Sequence, residues 1–92
     1  MIRSWRHKGL KNLFEKGDCS GINVSHLHRL KIILQRLNAA TTANDMNTPG
    51  MRLHKLTGKL KNHYSVTVNK NWRVIFMFDG QDAILVDYLD YH

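Results

Sequence analysis

Two hydrophobic periods organise this chain. From Tyr64 to Phe78 the period is two. Tyr64, Val66 and Val68 alternate with Ser65 and Thr67, and after Asn69-Lys70-Asn71 the alternation resumes with Trp72, Val74, Phe76 and Phe78 against Arg73, Ile75 and Met77. β-branched and aromatic residues alternating on both sides of a short Asn-rich connection predict a β-hairpin. The Trp72, Val74, Phe76 and Phe78 face needs covering, which turns Arg73 to the opposite face at the start of a strand, where a rigid sheet can aim its guanidinium at a ligand. A solvated arginine beside a turn is the plain alternative, since most strand charges face water.

Before the hairpin the period lengthens. His7 to Lys16 reads as a helix, with Leu10, Leu13 and Phe14 on one stripe and Gly17 placed to end it in the left-handed conformation. After a connection from Asp18 to Asn23, the residues Val24, Leu27, Leu30, Ile33, Leu34 and Leu37 repeat at helical spacing, with Asn23 or Ser25 available as the cap. Met1 to Trp5 reads as a short strand. AATTANDMNTPG, from Ala39 to Gly50, is a loop ending in a Pro-Gly turn, and Met51 to Leu56 is a candidate strand. Thr57 to Asn62 forms a basic loop around Gly58. Asp79-Gly80 is a second tight turn, followed by a strand from Ala83 to Tyr88 and a tail from Leu89 to His92. The order β-α-α-β-β-β-β is that of an α+β domain, one antiparallel sheet with two helices packed on one face and the other face free to work.

Length and charge narrow the function. A chain of 92 residues, 42% hydrophobic, supports a single domain spanning residues 1–92 with one two-layer core. No apolar run approaches the roughly 20 residues of a membrane span, and MIRSWRHKGL is too polar for a secretory signal, so a cytoplasmic protein with no membrane partner is expected. The lone Cys19 cannot form an internal disulfide, which agrees with a reducing compartment. Fourteen Lys and Arg against 7 Asp and Glu give a formal charge of +7, and nucleic acid is the commonest partner of such a surface. The charges are segregated: Arg3, Arg6, Lys8, Lys11 and Lys16 crowd the start, Arg52, Lys55, Lys59 and Lys61 the middle, and Asp79, Asp82, Asp87 and Asp90 the end.

Six histidines invite a metal hypothesis. Their spacing argues against it: His26 and His28, two apart on a helix, point away from each other, and no Cys pair or second His at ligand spacing completes a site. No phosphate-binding Gly loop or dinucleotide fingerprint occurs. What remains is His54 within RLHKLTGKLK, Arg73 on the hairpin, and the terminal Asp90-Tyr91-His92. Together these are the parts an RNA-cleaving site needs. Cutting RNA through its 2′-hydroxyl requires a base, an acid for the leaving 5′-oxygen, and cations for the charge on phosphorus. Histidine titrates in the right range for either proton carrier, and arginine matches a phosphate with two parallel hydrogen bonds.

The sequence as a whole resembles the HigB toxins, within the wider RelE group of bacterial toxin ribonucleases. The likeness runs from IRSWRHKGLKNLFEKG, through the Pro-Gly turn and RLHKLTG, to YSVTVNKNWRVIFMF and the final DYH. The resemblance implies a toxin of a type II toxin–antitoxin system, an endoribonuclease that cleaves mRNA in the 30S A site of the ribosome without a metal or other cofactor. It also implies a helix-turn-helix antitoxin of HigA type as partner, through which the complex binds operator DNA. Active-site roles fall on His54, Arg73, Asp90, Tyr91 and His92. In this scheme Arg73, helped by Lys55 or Lys59, holds the scissile phosphate; His92, His54 and Asp90 share the proton transfers; and Tyr91 orients the nucleotide. Arg3, Arg6, Lys8 and Lys11 would anchor ribosomal RNA. One position departs from the family pattern: Thr57, in Leu56-Thr57-Gly58, stands where related toxins commonly carry a lysine. The alternatives are a basic nucleic-acid-binding module without chemistry, as a degenerate toxin would be, and a protein-interaction domain.

Overall fold

A computed structural model describes residues 1–91. Helix α1 spans Lys8–Lys16 and α2 spans Leu27–Ala39. Strands β1 (His54–Lys55), β2 (Tyr64–Asn69), β3 (Trp72–Asp79) and β4 (Asp82–Asp90) follow as an antiparallel meander in the order β1-β2-β3-β4. The helices and the loops flanking them cover one side of this sheet. Leu10, Leu13, Leu30, Ile33, Leu34 and Leu37 meet Val66, Val74, Phe76, Val86 and Tyr88 in one apolar cluster. Burial of each such side chain contributes about 1.5–3 kcal/mol.

Local chemistry sets the ends of the helices. His7 precedes α1 in extended geometry, and its Nδ1 accepts the Leu10 N–H at 3.0 Å, so His7 acts as the cap. Gly17 closes the helix at φ 71. Gly9 and Gly21 touch: a Cβ on Gly21 would lie 3.1 Å from the Gly9 Cα, so the loop can seat against α1 only without side chains here. Asn23 is the cap of the next element, accepting the Ser25 N–H at 3.0 Å, but what it caps is a 3₁₀ turn, Val24–His26, that precedes α2. Val24 is thereby turned out of the apolar stripe and lies 78% exposed. Phe14, at 36%, sits at the rim against Trp5.

Four expectations from the sequence need correction. Met1 to Trp5 makes isolated parallel bridges, Ile2 to Ala83 and Trp5 to Val86, instead of a full strand. The reason is a bulge in β4, where Leu85 adopts φ 56 and gives its N–H to Ser4 Oγ at 2.9 Å, interrupting the ladder. The segment 39–50 is not all loop: Ala43–Met46 forms a 3₁₀ turn that buries Met46. The strand expected over Met51 to Leu56 shrinks to two residues because Arg52, at φ 51, leaves extended geometry. At the end of the chain, β4 runs to Asp90 and Tyr91 gives its N–H to the Asn71 carbonyl at 2.7 Å. Leu89 to Tyr91 therefore continues the sheet and does not fold back across its open face. His92 lies outside the described residues.

Candidate active site

Cross-strand register decides which side chains share a face. His54 pairs with Ser65, Ser65 with Ile75, and Ile75 with Asp87; in the neighbouring row Thr67 pairs with Arg73 and Arg73 with Leu89. Side chains opposite one another in a ladder lie on the same side of the sheet, so these two rows form the face away from the helices. Rows two strands and two residues apart separate the His54 and Arg73 Cα atoms by roughly 12 Å. Side chains as long as histidine and arginine can converge on one phosphate across that span.

The face is less open than the alternation in the sequence suggests. Leu56, His63, Ser65 and Ile75 are buried, and Leu56 gives its N–H to the His63 carbonyl at 2.8 Å, extending the β1–β2 pairing beneath the turn Gly58–Leu60. His63 Nδ1 lies 3.1 Å from the Leu60 carbonyl and 3.2 Å from that of Lys61, fixing its hydrogen on Nδ1. The working surface is consequently a strip holding exposed His54 and half-buried Thr67, Arg73, Asp87 and Leu89.

Arg73 does not wave in solvent. Its Nη1 donates to Thr67 Oγ1 across the hairpin. Thr67 is itself held on both sides: its N–H donates to the Met51 carbonyl at 2.8 Å, and its carbonyl accepts from Arg29 Nη2 at 3.3 Å. A register shift between Thr67 and Asn69 marks a bulge directly beside it. A guanidinium with one N–H anchored keeps others for a bidentate grip on phosphate.

The remaining candidates are distributed as follows. Asp90 pairs with Trp72 and so begins on the helix side of β4, whereas Tyr91, one residue on, returns by alternation to the Arg73 side. Lys55 pairs with Tyr64, on the opposite side of β1 from His54. Lys59 is exposed in the turn Gly58–Leu60, and Thr57 is exposed just before it. At the N-terminus Arg6, Lys8 and Lys11 are exposed, but Arg3 is already engaged by Asp79 and Asp82. Sequence reasoning missed Thr67 and Asp87 as members of the face; their parity with Arg73 follows from the strand register, and the only hint in the sequence was their polarity within a β-run.

Behind Arg73 a buried polar network ties the helices to the strand ends. His26 Nδ1 lies 2.6 Å from Tyr88 Oη, and the Trp72 ring packs on both, with centroids 4.8 Å from Tyr88 and 5.4 Å from His26. Burial pushes the Tyr88 phenol above its ordinary value, with a backbone hydrogen bond from Asn23 pulling the other way. The Tyr88 hydroxyl and His26 Nδ1 share one buried hydrogen bond. Trp72, the residue before Arg73, is thereby locked.

A model of the HigB-like toxins, RelE-like toxins of type II toxin–antitoxin systems, matches residues 3–92. This chain belongs to the HigB-like toxins. Over 92 residues, 100% of both chains, it is 42% identical to Endoribonuclease HigB of Proteus vulgaris. It is 43% identical over 61 residues to Toxin HigB-1 of Vibrio cholerae, covering 64% of this chain and 62% of that one. In three dimensions this HigB-like chain is similar to a chain of the YoeB-YefM toxin-antitoxin complex of Staphylococcus aureus, with a TM-score of 0.63 at 14% identity over 100% of this chain and 98% of the other. A second structure of that complex gives 0.59. At such identity the likeness concerns the fold, two helices followed by a four-stranded antiparallel sheet.

Proposed function

We propose that this toxin is an endoribonuclease that cleaves mRNA on the ribosome through the 2′-hydroxyl of the nucleotide before the cut. The observation that carries the reading is the shared face of His54 and Arg73, with the guanidinium pre-set by Thr67. Arg73 binds the scissile phosphate and stabilises the charge that develops on it. His54 exchanges a proton with the reacting oxygens, Tyr91 reaches the Arg73 side from the end of β4, and the parts of Asp90 and His92 in the chemistry follow from the family resemblance alone. Exposed Arg6, Lys8 and Lys11 bind ribosomal RNA. The toxin acts in the cytoplasm as one domain and is neutralised by a helix-turn-helix antitoxin of HigA type, which carries the complex to operator DNA. The relationship to the Proteus vulgaris endoribonuclease over the full length supports this assignment.

A second reading, a basic RNA-binding protein without chemistry, draws on Thr57 in place of the family's common lysine and on Lys55 facing away from His54. Incubating the protein with translating ribosomes and mapping new 5′ ends separates the two. Discrete new ends support cleavage; ribosome binding without them supports the second reading.

A further inference from the structure

On the helix side of β1, back to back with the face just described, lies a groove of about 380 Å³ lined by Thr41, Thr42, Lys55, Asn62, Tyr64 and Phe78, among others. Its size falls within the range of small-molecule sites. We propose that this groove binds a nucleotide of the RNA beyond those flanking the cleaved bond and reads its base. The proposal rests on the endoribonuclease reading for the identity of the polymer, but the groove's chemistry stands on its own.

The loop wall and the aromatic wall are held in place before any ligand arrives. The Asp45 carboxylate accepts the Thr41 N–H at 2.9 Å, the Thr42 N–H at 3.1 Å and the Thr41 hydroxyl at 3.3 Å, which fixes the loop wall. Tyr64 supplies an aromatic surface, and its ring is backed by Phe76 at 6.1 Å with only 23° between their planes. Phe78 meets Phe76 edge-on, with centroids 5.9 Å apart, and lines the same groove. Lys55 and Asn62 enter from the two ends of the β1–β2 connection. Lys55 is exposed and has no ion-pair partner among the described residues. Asn62 sits at φ 70, a left-handed conformation that asparagine tolerates better than most residues, and lines the groove.

A free cation, a planar apolar surface, an amide and hydroxyls together select an anion that also carries a flat hydrogen-bonding ring. Inorganic phosphate would use Lys55 and ignore Tyr64 and Phe78. A nucleotide uses all of them, with base stacking on aromatics as the sequence-tolerant part and the Asn62 amide as the discriminating part. The topology supplies the connection. β1 is two residues long and is the edge of the sheet, with His54 on one side and Lys55, its neighbour, on the other. A strand of RNA whose phosphate lies at His54 and Arg73 reaches Lys55 by crossing that edge.

The test is an NMR titration of the full chain with each nucleoside 5′-monophosphate, with inorganic phosphate and with the free nucleosides. At least one monophosphate is expected to shift the amides of Thr41, Thr42, Asn62 and Tyr64 saturably. Lys55→Gln is expected to weaken that binding about tenfold, the value of one charge-assisted contact, and Asn62→Gly, compatible with the backbone there, to reduce the preference among bases. The proposal is overturned if no monophosphate moves these amides, if phosphate alone moves them equally, or if they respond only to the antitoxin, which would make the groove a protein-docking surface. Nucleotide binding here by a protein that leaves ribosome-bound mRNA intact would refute the endoribonuclease reading and leave the groove standing. Cleavage with no nucleotide response would do the reverse.

Discussion

Thr67 and Arg73 face each other across the β2–β3 ladder, and the threonine hydroxyl accepts a hydrogen bond from the guanidinium. The arginine is aimed before any phosphate arrives. Thr67→Val keeps the shape and removes the acceptor, so single-turnover cleavage should slow by about 10- to 100-fold, the value of a hydrogen bond to a charged group. Thr67→Ser should restore most of the rate with an unchanged melting temperature. A valine variant as fast as the parent would show that Arg73 finds its geometry from the substrate alone.

The Tyr88–His26 pair should matter to stability rather than to chemistry. Tyr88→Phe leaves a buried imidazole nitrogen without its partner at 2.6 Å, and urea unfolding should report a loss of about 1–3 kcal/mol. The alkaline limb carries a sign as well. Unfolded, the phenol ionises near 10.0; folded, it ionises higher, so its stabilising contribution is complete below that pH and is lost as pH rises towards the folded value. The phenylalanine variant should lose less stability than the parent over that alkaline range.

At the acid end the relevant group is Asp45. Hydrogen bonds from the Thr41 and Thr42 backbone hold its carboxyl below the ordinary 3.8. Its contribution is present above the unfolded value and is lost as pH falls through the folded one. The protection of the amides of residues 41–46 against exchange, taken relative to the intrinsic rate at each pH, should therefore fall in acid, and Asp45→Asn should remove that fall. Equal acid sensitivity in both proteins would show that other carboxyls govern the loop.

Removing residues 90–92 should abolish cleavage and also weaken the fold. Asp90 pairs with Trp72 and Tyr91 bonds to Asn71, so the truncation strips the end of a strand, not a loose tail. Two such backbone bonds are worth about 1–3 kcal/mol together, which lowers the melting temperature by roughly 4–20 °C in a domain of this size. A truncated protein that melts like the parent would show that this last pairing contributes nothing.

Much of this architecture was legible in the residues. The alternation from Tyr64 to Phe78 announced the hairpin, and Gly17 announced the end of α1, because each reflects a local rule of period or backbone freedom. What escaped were features that depend on distant partners. The bulge at Leu85 exists because Ser4 takes its N–H, and Ile75 is buried on a face that alternation alone leaves open. Likewise Asp90 fell on Trp72's side and Lys55 on Tyr64's because register is fixed by whole ladders, whereas sequence shows only which residues are polar. Thr67 was one polar position of the alternation, with no role of its own until the pairing set it opposite Arg73.

The most direct test of the central claim is single-turnover cleavage of ribosome-bound mRNA by the parent, His54→Ala and Arg73→Ala proteins, with thermal unfolding alongside. The parent should produce discrete new 5′ ends, and both variants should melt normally while cutting about 10²–10⁴-fold more slowly, as removal of a positioned proton carrier or phosphate clamp demands. Variants that fold normally and cut at the parent rate would contradict the assignment of the sheet face bearing His54 and Arg73 as the site of chemistry.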